Sequence, residues 1–156
     1  MRTYLQDHHA GSTAGLELAR RAAGSNGDSE YGEELSAIAD EIAADRETLE
    51  RVMDGLGVKP SRLKDAGGWT AEKLGRLKPN NSLTSYSPLS RVVELEGLVL
   101  GVTGKLALWE SLRAALGASV GGADFDQLAE RAAEQRSRLE ELRRRAAAEA
   151  LGTNSG

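Results

Sequence analysis

LSAIADEIAADRETLERVMDGL, residues 35–56, is the stretch whose reading decides the fold. Leu35, Ile38, Ile42, Asp45, Leu49, Val52 and Leu56 recur at alternating spacings of three and four. That spacing places all seven on one face of an α-helix. Six are apolar and the seventh is Asp45, so the spacing predicts a core-facing helix with a carboxylate in its buried stripe. A buried carboxylate is costly without a cation or donors beside it. Ser29 or Asp28 can cap this helix, with acids filling its first turn. Gly55-Leu56-Gly57, with Pro60 beyond, ends it. The second helix therefore spans residues 29–56.

Upstream, residues 3–23 predict a first helix with an apolar start (Tyr4, Leu5) and a small middle: Ala10, Gly11, Ala14, Gly15, Ala19 and Ala22. Gly24-Ser25-Asn26-Gly27-Asp28 breaks it from the second. Downstream, Gly67-Gly68, Pro79, Asn80-Asn81 and Pro88 interrupt the chain, and the spacing predicts a short helix around Trp69 to Leu77 with Trp69, Leu74 and Leu77 facing inward. From Val58 to Arg91 there are seven Lys/Arg against two acids. This basic strap reads as a solvated crossover against the acidic second helix, or as a contact for an anionic ligand or partner.

A third long helix is predicted to start at Pro88, capped by Ser87. Val92, Leu95, Val99, Val102, Leu106 and Trp109 form its core stripe. Gly97, Gly101 and Gly104 form a separate row. Each glycine costs about 1 kcal/mol relative to alanine, so the row predicts close backbone packing against the small face of the first helix. A loop at residues 117–122 leads to a fourth helix over 124–151, with Phe125, Leu128, Ala132, Leu139 and Leu142 inward. Arg143-Arg144-Arg145 sits favourably near its C-terminus.

The chain has 156 residues, which predicts one domain over 1–151 with a disordered tail at 152–156. Aromatics are 4 % of the residues, so the core must be aliphatic and small, which suits close-packed helices. The net charge of −4 gives no support to nucleic-acid binding. No apolar run is long enough for a membrane span, and the first residues hold no apolar signal core. With no cysteine, disulfides and thiolate chemistry are excluded. A cytoplasmic location is the expectation. No phosphate loop, dinucleotide fingerprint or seryl-hydrolase elbow is present.

Short loops join helices one to two and three to four, and a link of roughly 30 residues joins the pairs. The expected fold is all-α: an up-down-down-up four-helix bundle whose long crossover carries a short extra helix. This layout resembles the ferritin-like superfamily, over almost the whole chain. The resemblance implies a di-iron site built from carboxylates and a Glu-x-x-His pattern on two helices. Here Glu41-Ile42-Ala43-Ala44 has alanine at the histidine position. Glu130-Arg131-Ala132-Ala133 and Glu134-Gln135-Arg136-Ser137 also lack histidine. Glu17 and Glu94 or Glu96 supply the remaining carboxylates. Two ligands of the standard site are therefore missing.

The only histidines are His8 and His9, and both lie near the first helix's inward stripe. With the first turn centred near Asn26, Asp45 falls opposite Asp7 and His8. Lys105 and Gln135 reach the same height on helices three and four. His8, His9, Asp45, Lys105 and Gln135 thus form a candidate buried polar cluster. A carboxylate beside a histidine raises its pKa and orients its ring, the minimum for acid–base chemistry and equally a way to satisfy a core histidine. Glu17 and Glu96 are expected one layer higher, facing Arg20, Arg21 or Arg144.

Three functions follow as expectations. The first is a binding or assembly module without the standard di-iron site, acting as a homodimer, with no nucleic acid, no membrane and no cofactor. The second is a metal-binding protein or enzyme, with a metal ion on His8, His9, Glu17, Asp45 and Glu96. The third is a small-ligand carrier with a pocket under Trp69 and Trp109.

Overall fold

The computed structural model describes residues 1–61 and 86–152. The short helix expected over 69–77, most of the basic strap and the tail at 153–156 lie outside them. Four long helices carry the fold: α1 (Arg2–Ser25), α2 (Glu30–Gly55), α3 (Pro88–Leu116) and α4 (Phe125–Leu151).

The helix ends follow from local chemistry. At α3, Pro88 occupies the first turn and the Ser87 hydroxyl accepts the Ser90 amide at 3.1 Å. At α4, Asp124 Oδ1 accepts the amides of Asp126 (3.0 Å) and Gln127 (3.1 Å). Ser29 occupies the N-cap position of α2, but its hydroxyl turns back to donate to the Asn26 carbonyl at 2.8 Å. The end of α2 is a Schellman motif. Val58 N–H reaches the Met53 carbonyl, Gly57 N–H reaches Asp54, and Gly57 takes φ +67°. The expected loop at 117–122 is instead partly a two-stranded antiparallel hairpin, β1 (Ser119–Val120) with β2 (Ala123–Asp124). Gly121 and Gly122 form its two-residue turn with φ +58° and +78°, a conformation that favours glycine.

Most of the expected stripes are buried. On α2, Leu35, Ile38, Ile42, Asp45, Leu49 and Val52 are inside, while Leu56 is half-buried. On α4, Phe125, Leu128, Ala132, Leu139 and Leu142 are inside, joined by Gln135 and Ala146. On α3 the stripe is rotated slightly. Leu98, Leu108 and Leu112 are buried, while Val99 and Leu106 are half-buried.

Gly101 and Gly104 of the glycine row do not pack as their spacing predicts. A Cβ placed on Gly101, Gly104, Gly11 or Gly15 would meet nothing within 4 Å. Larger buried side chains of the two helices, Leu18 on α1 and Leu98 on α3, belong to the shared core instead.

The core divides in two. One apolar cluster joins Leu16 and Ala19 of α1, Leu35 and Ile42 of α2, Leu95 and Val102 of α3, and Leu139 of α4. The other joins Leu5, Leu49, Val52, Leu108, Trp109, Phe125 and Leu128. In every helix the break between clusters falls on a buried or half-buried polar residue: His9, Asp45, Lys105 and Gln135.

Candidate functional site

Asp45 is 3 % exposed and stands at this break on α2. Lys105 Nζ, from α3, donates to its Oδ2 at 2.5 Å. Arg131, from α4, donates to its Oδ1. Gln135 Nε2 reaches Oδ2 at 3.4 Å, and the Gln135 carbonyl oxygen accepts from Lys105. Three helices thus meet on one carboxylate. Burial pushes the Lys105 ammonium below the ordinary lysine value, against the pull of Asp45.

The network extends along α2 and α4. Arg138 donates to Glu34 (2.5 Å) and to Glu41 (2.7 Å). Burial raises the Glu41 pKa, but its hydrogen bonds from Arg138 and Gln135 and the charges of Arg138 and Lys105 outweigh that and hold it low. Two buried atoms in this network have no hydrogen-bond partner, Arg131 Nε and Glu41 Oε2. Nearer the α1–α2 turn, Tyr31 is sandwiched between guanidinium groups, Arg91 at 4.3 Å and Arg145 at 4.4 Å from the ring centre. Its hydroxyl donates to Glu149 at 2.7 Å.

The histidines separate. His9 is 2 % exposed and points inward, with Nε2 at 2.9 Å from Glu50 Oε1 and 3.4 Å from Arg46. His8 is half-buried, edge-on to Tyr4 with ring centres 4.6 Å apart, and burial lowers its pKa against the charge of Asp7. Neither bonds Asp45, whose partners are Lys105, Arg131 and Gln135. Glu17 and Glu96 are both exposed, and Arg21 pairs with Glu94 (3.0 Å) while Arg144 pairs with Glu140. So His8, His9, Glu17, Asp45 and Glu96 do not come together as one ligand set. Among the described residues no three His, Cys, Asp or Glu side chains are placed to hold a metal ion.

Chemically, both Asp45 oxygens are taken by cations. Two positive neighbours weaken the carboxylate as a general base and repel a metal cation. Trp109 is buried and stacked on Phe125 at 6.2 Å, with Nε1 unpartnered. Trp69 lies outside the described residues. A shallow groove of about 600 Å³ lies at the α1–α2 turn, lined by Arg20, Ala23, Gly27, Gly32, Ser36 and Asp40. It is formed by α1, α2 and their turn, away from Asp45 and Trp109.

No family model, curated protein or solved structure matches the chain.

Sequence reasoning missed Arg131 and Arg138. Their signal was present: Arg131, Arg138 and Arg145 recur every seven residues along α4, opposite the acids of α2.

Proposed function

We propose that this chain is an up-down-down-up bundle of ferritin-like layout, without the standard di-iron site, that works in the cytoplasm as an assembly module and pairs with a second copy of itself. The layout is supported by the order of contacts. Glu30, Glu34 and Asp45 of α2 meet Arg145, Arg138 and Arg131 of α4, the order expected of an antiparallel pair. Asp45 meets Lys105, and the more N-terminal Leu35 and Leu95 share a cluster, which supports a parallel α2 and α3.

The observation that carries the assembly reading is the outer face of α3. Between Glu96 and Glu110 the only charged residue is Lys105, and it turns inward to Asp45. The outward positions are Leu100, Gly101, Thr103 and Ala107, and Leu100 is 74 % exposed. Gly101 and Gly104 leave open space beside it. In a chain where 28 % of residues are charged, a helix face with no charge over this length is a surface suited to another apolar helix face. Reading Asp45 as a catalytic or metal-binding group has less support, because its oxygens are occupied by cations.

The test is mass against concentration by sedimentation equilibrium, on the parent and on Leu100→Glu. The parent is expected to shift from monomer to dimer. Burying one leucine contributes about 1.5–3 kcal/mol, and a two-fold contact buries it twice. Leu100→Glu should therefore weaken association at least 100-fold. A monomer at every concentration would remove the reading.

A further inference from the structure

Two patterns, one along the rim of the α2–α4 contact and one in the core, differ in whether they repeat. On the α2–α4 contact, α4 supplies Arg131, Arg138 and Arg145, and α2 supplies Asp45, Glu41, Glu34 and Glu30. All the ion pairs on this contact put the acid on α2 and the arginine on α4. Charges flanking a helical seam select which edges face each other. The ladder repeats every seven residues on α4, so sliding α4 by seven residues would again set two of its three arginines opposite acids. The ladder fixes the facing edge but not the alignment along the axis.

The core columns break that degeneracy. Read at seven-residue steps, α2 presents Ile38, Asp45 and Val52, α3 presents Leu98, Lys105 and Leu112, and α4 presents Leu128, Gln135 and Leu142. Eight of these nine side chains are buried, and Lys105 is 14 % exposed. Each column is apolar, polar, apolar, and the three polar members meet one another. Shifting the α3–α4 hairpin by seven residues would put Lys105 where Leu98 or Leu112 now packs. It would leave Asp45 facing leucine. A buried charge against an apolar wall is far costlier than the apolar contacts such a slide would exchange.

We infer that Asp45, Lys105 and Gln135 are the register mark of this fold: they select one among the seven-residue-related alignments of the two helical hairpins, while the arginine ladder fixes only the facing edges. A single buried polar position plays this part in coiled coils. Here three helices share it.

The experiment measures alignment directly. The chain has no cysteine, so Ser36→Cys and Glu130→Cys, at exposed positions on α2 and α4, take spin labels without interference. The parent is expected to give one distance. The triple variant Asp45→Leu/Lys105→Leu/Gln135→Leu makes all three columns apolar. It should add a second population, displaced along the axis by about 10 Å, the rise of seven helical residues. If leucine overpacks and the helices are lost, the alanine triple at the same positions reads the same distance. One unchanged distance in a folded triple variant would overturn the inference. Loss of helix in both triples would also overturn it, since the layer would then be needed for folding itself.

Discussion

Lys105 on α3 and Asp45 on α2, 60 residues apart in sequence, meet at 2.5 Å where the two apolar clusters divide. The pair is not symmetric. Asp45 holds two cations and an amide, whereas Lys105 holds one carboxylate and one amide oxygen. Removing the acid therefore takes the carboxylate from two cations at once and leaves the buried Lys105 with only the Gln135 oxygen, while removing the lysine leaves Asp45 with Arg131 and Gln135. Breaking a buried pair from one side costs about 3–5 kcal/mol. Asp45→Ala should lie at that end and Lys105→Met clearly below it. Urea unfolding at unchanged m-value is the measurement. Equal or reversed costs would show that Asp45 is not the centre of the layer.

Arg138 gives a pH-dependent counterpart. Glu41 has its folded pKa held below the ordinary value of 4.5 by Arg138 and Gln135. A lowered folded pKa means the unfolded chain binds the proton more readily, so this stabilisation is present above pH 4.5 and is lost as pH falls through the lower folded value. Arg138→Gln should raise the Glu41 pKa in a carboxyl-resolved NMR titration. It should also flatten the acid limb of the stability curve. An unmoved Glu41 titration would show that the contact with Arg138 carries no electrostatic weight.

The fold was legible where periodicity is strong. Leu35, Ile38, Ile42 and Leu49 announce α2 because three-four spacing admits one helical face, and Asp45 stands out as the one polar member. Pro88 after Ser87 and Asp124 before Phe125 set two helix starts through local bonds that the sequence alone specifies. Lys105 and Gln135 could be set beside Asp45 from helix lengths and turn positions. The histidines could not be assigned, because neighbouring residues on a helix point about 100° apart and the stripe through Leu5 passes close to both. Arg131 is not legible in the stripe because it sits on the flank of α4 and reaches Asp45 through its long side chain. Gly101 and Gly104 misled for a related reason: small residues permit close approach, but the larger side chains around them decide whether it happens.

Two glycines should respond with opposite signs. A Cβ on Gly32 would lie 2.4 Å from the Asn26 carbonyl oxygen, a backbone atom of the α1–α2 turn. Gly32→Ala must displace that turn, and such overpacking typically costs about 1–3 kcal/mol. Gly101 sits within α3 with nothing within 4 Å of its Cβ position. At concentrations where the chain is monomeric, Gly101→Ala should stabilise by about 0.5–1 kcal/mol through helix propensity. Thermal unfolding of the two variants beside the parent decides the point. A stabilised Gly32→Ala would mean the turn is looser than its contacts indicate.

Tyr86 offers a test at the alkaline end. Burial pushes its phenol up to about 12, Glu94 pushes the same way, and the bonds and charges of Asn26 and Arg91 oppose it. Its hydroxyl donates to Glu94 at 3.0 Å and accepts from the Asn26 amide at 2.7 Å, so ionisation would set a phenolate against a carboxylate. A raised folded pKa contributes stability that is complete below the unfolded value of 10.0 and is lost as pH rises to about 12. Absorbance of the phenolate, followed in parent and Tyr86→Phe, should show one late-titrating tyrosine missing in the variant. The difference in unfolding midpoint between the two should shrink between pH 10 and pH 12. If the parent and Tyr86→Phe lose stability in parallel over that window, the contact between Tyr86, Asn26 and Glu94 does not hold the start of α3 to the end of α1.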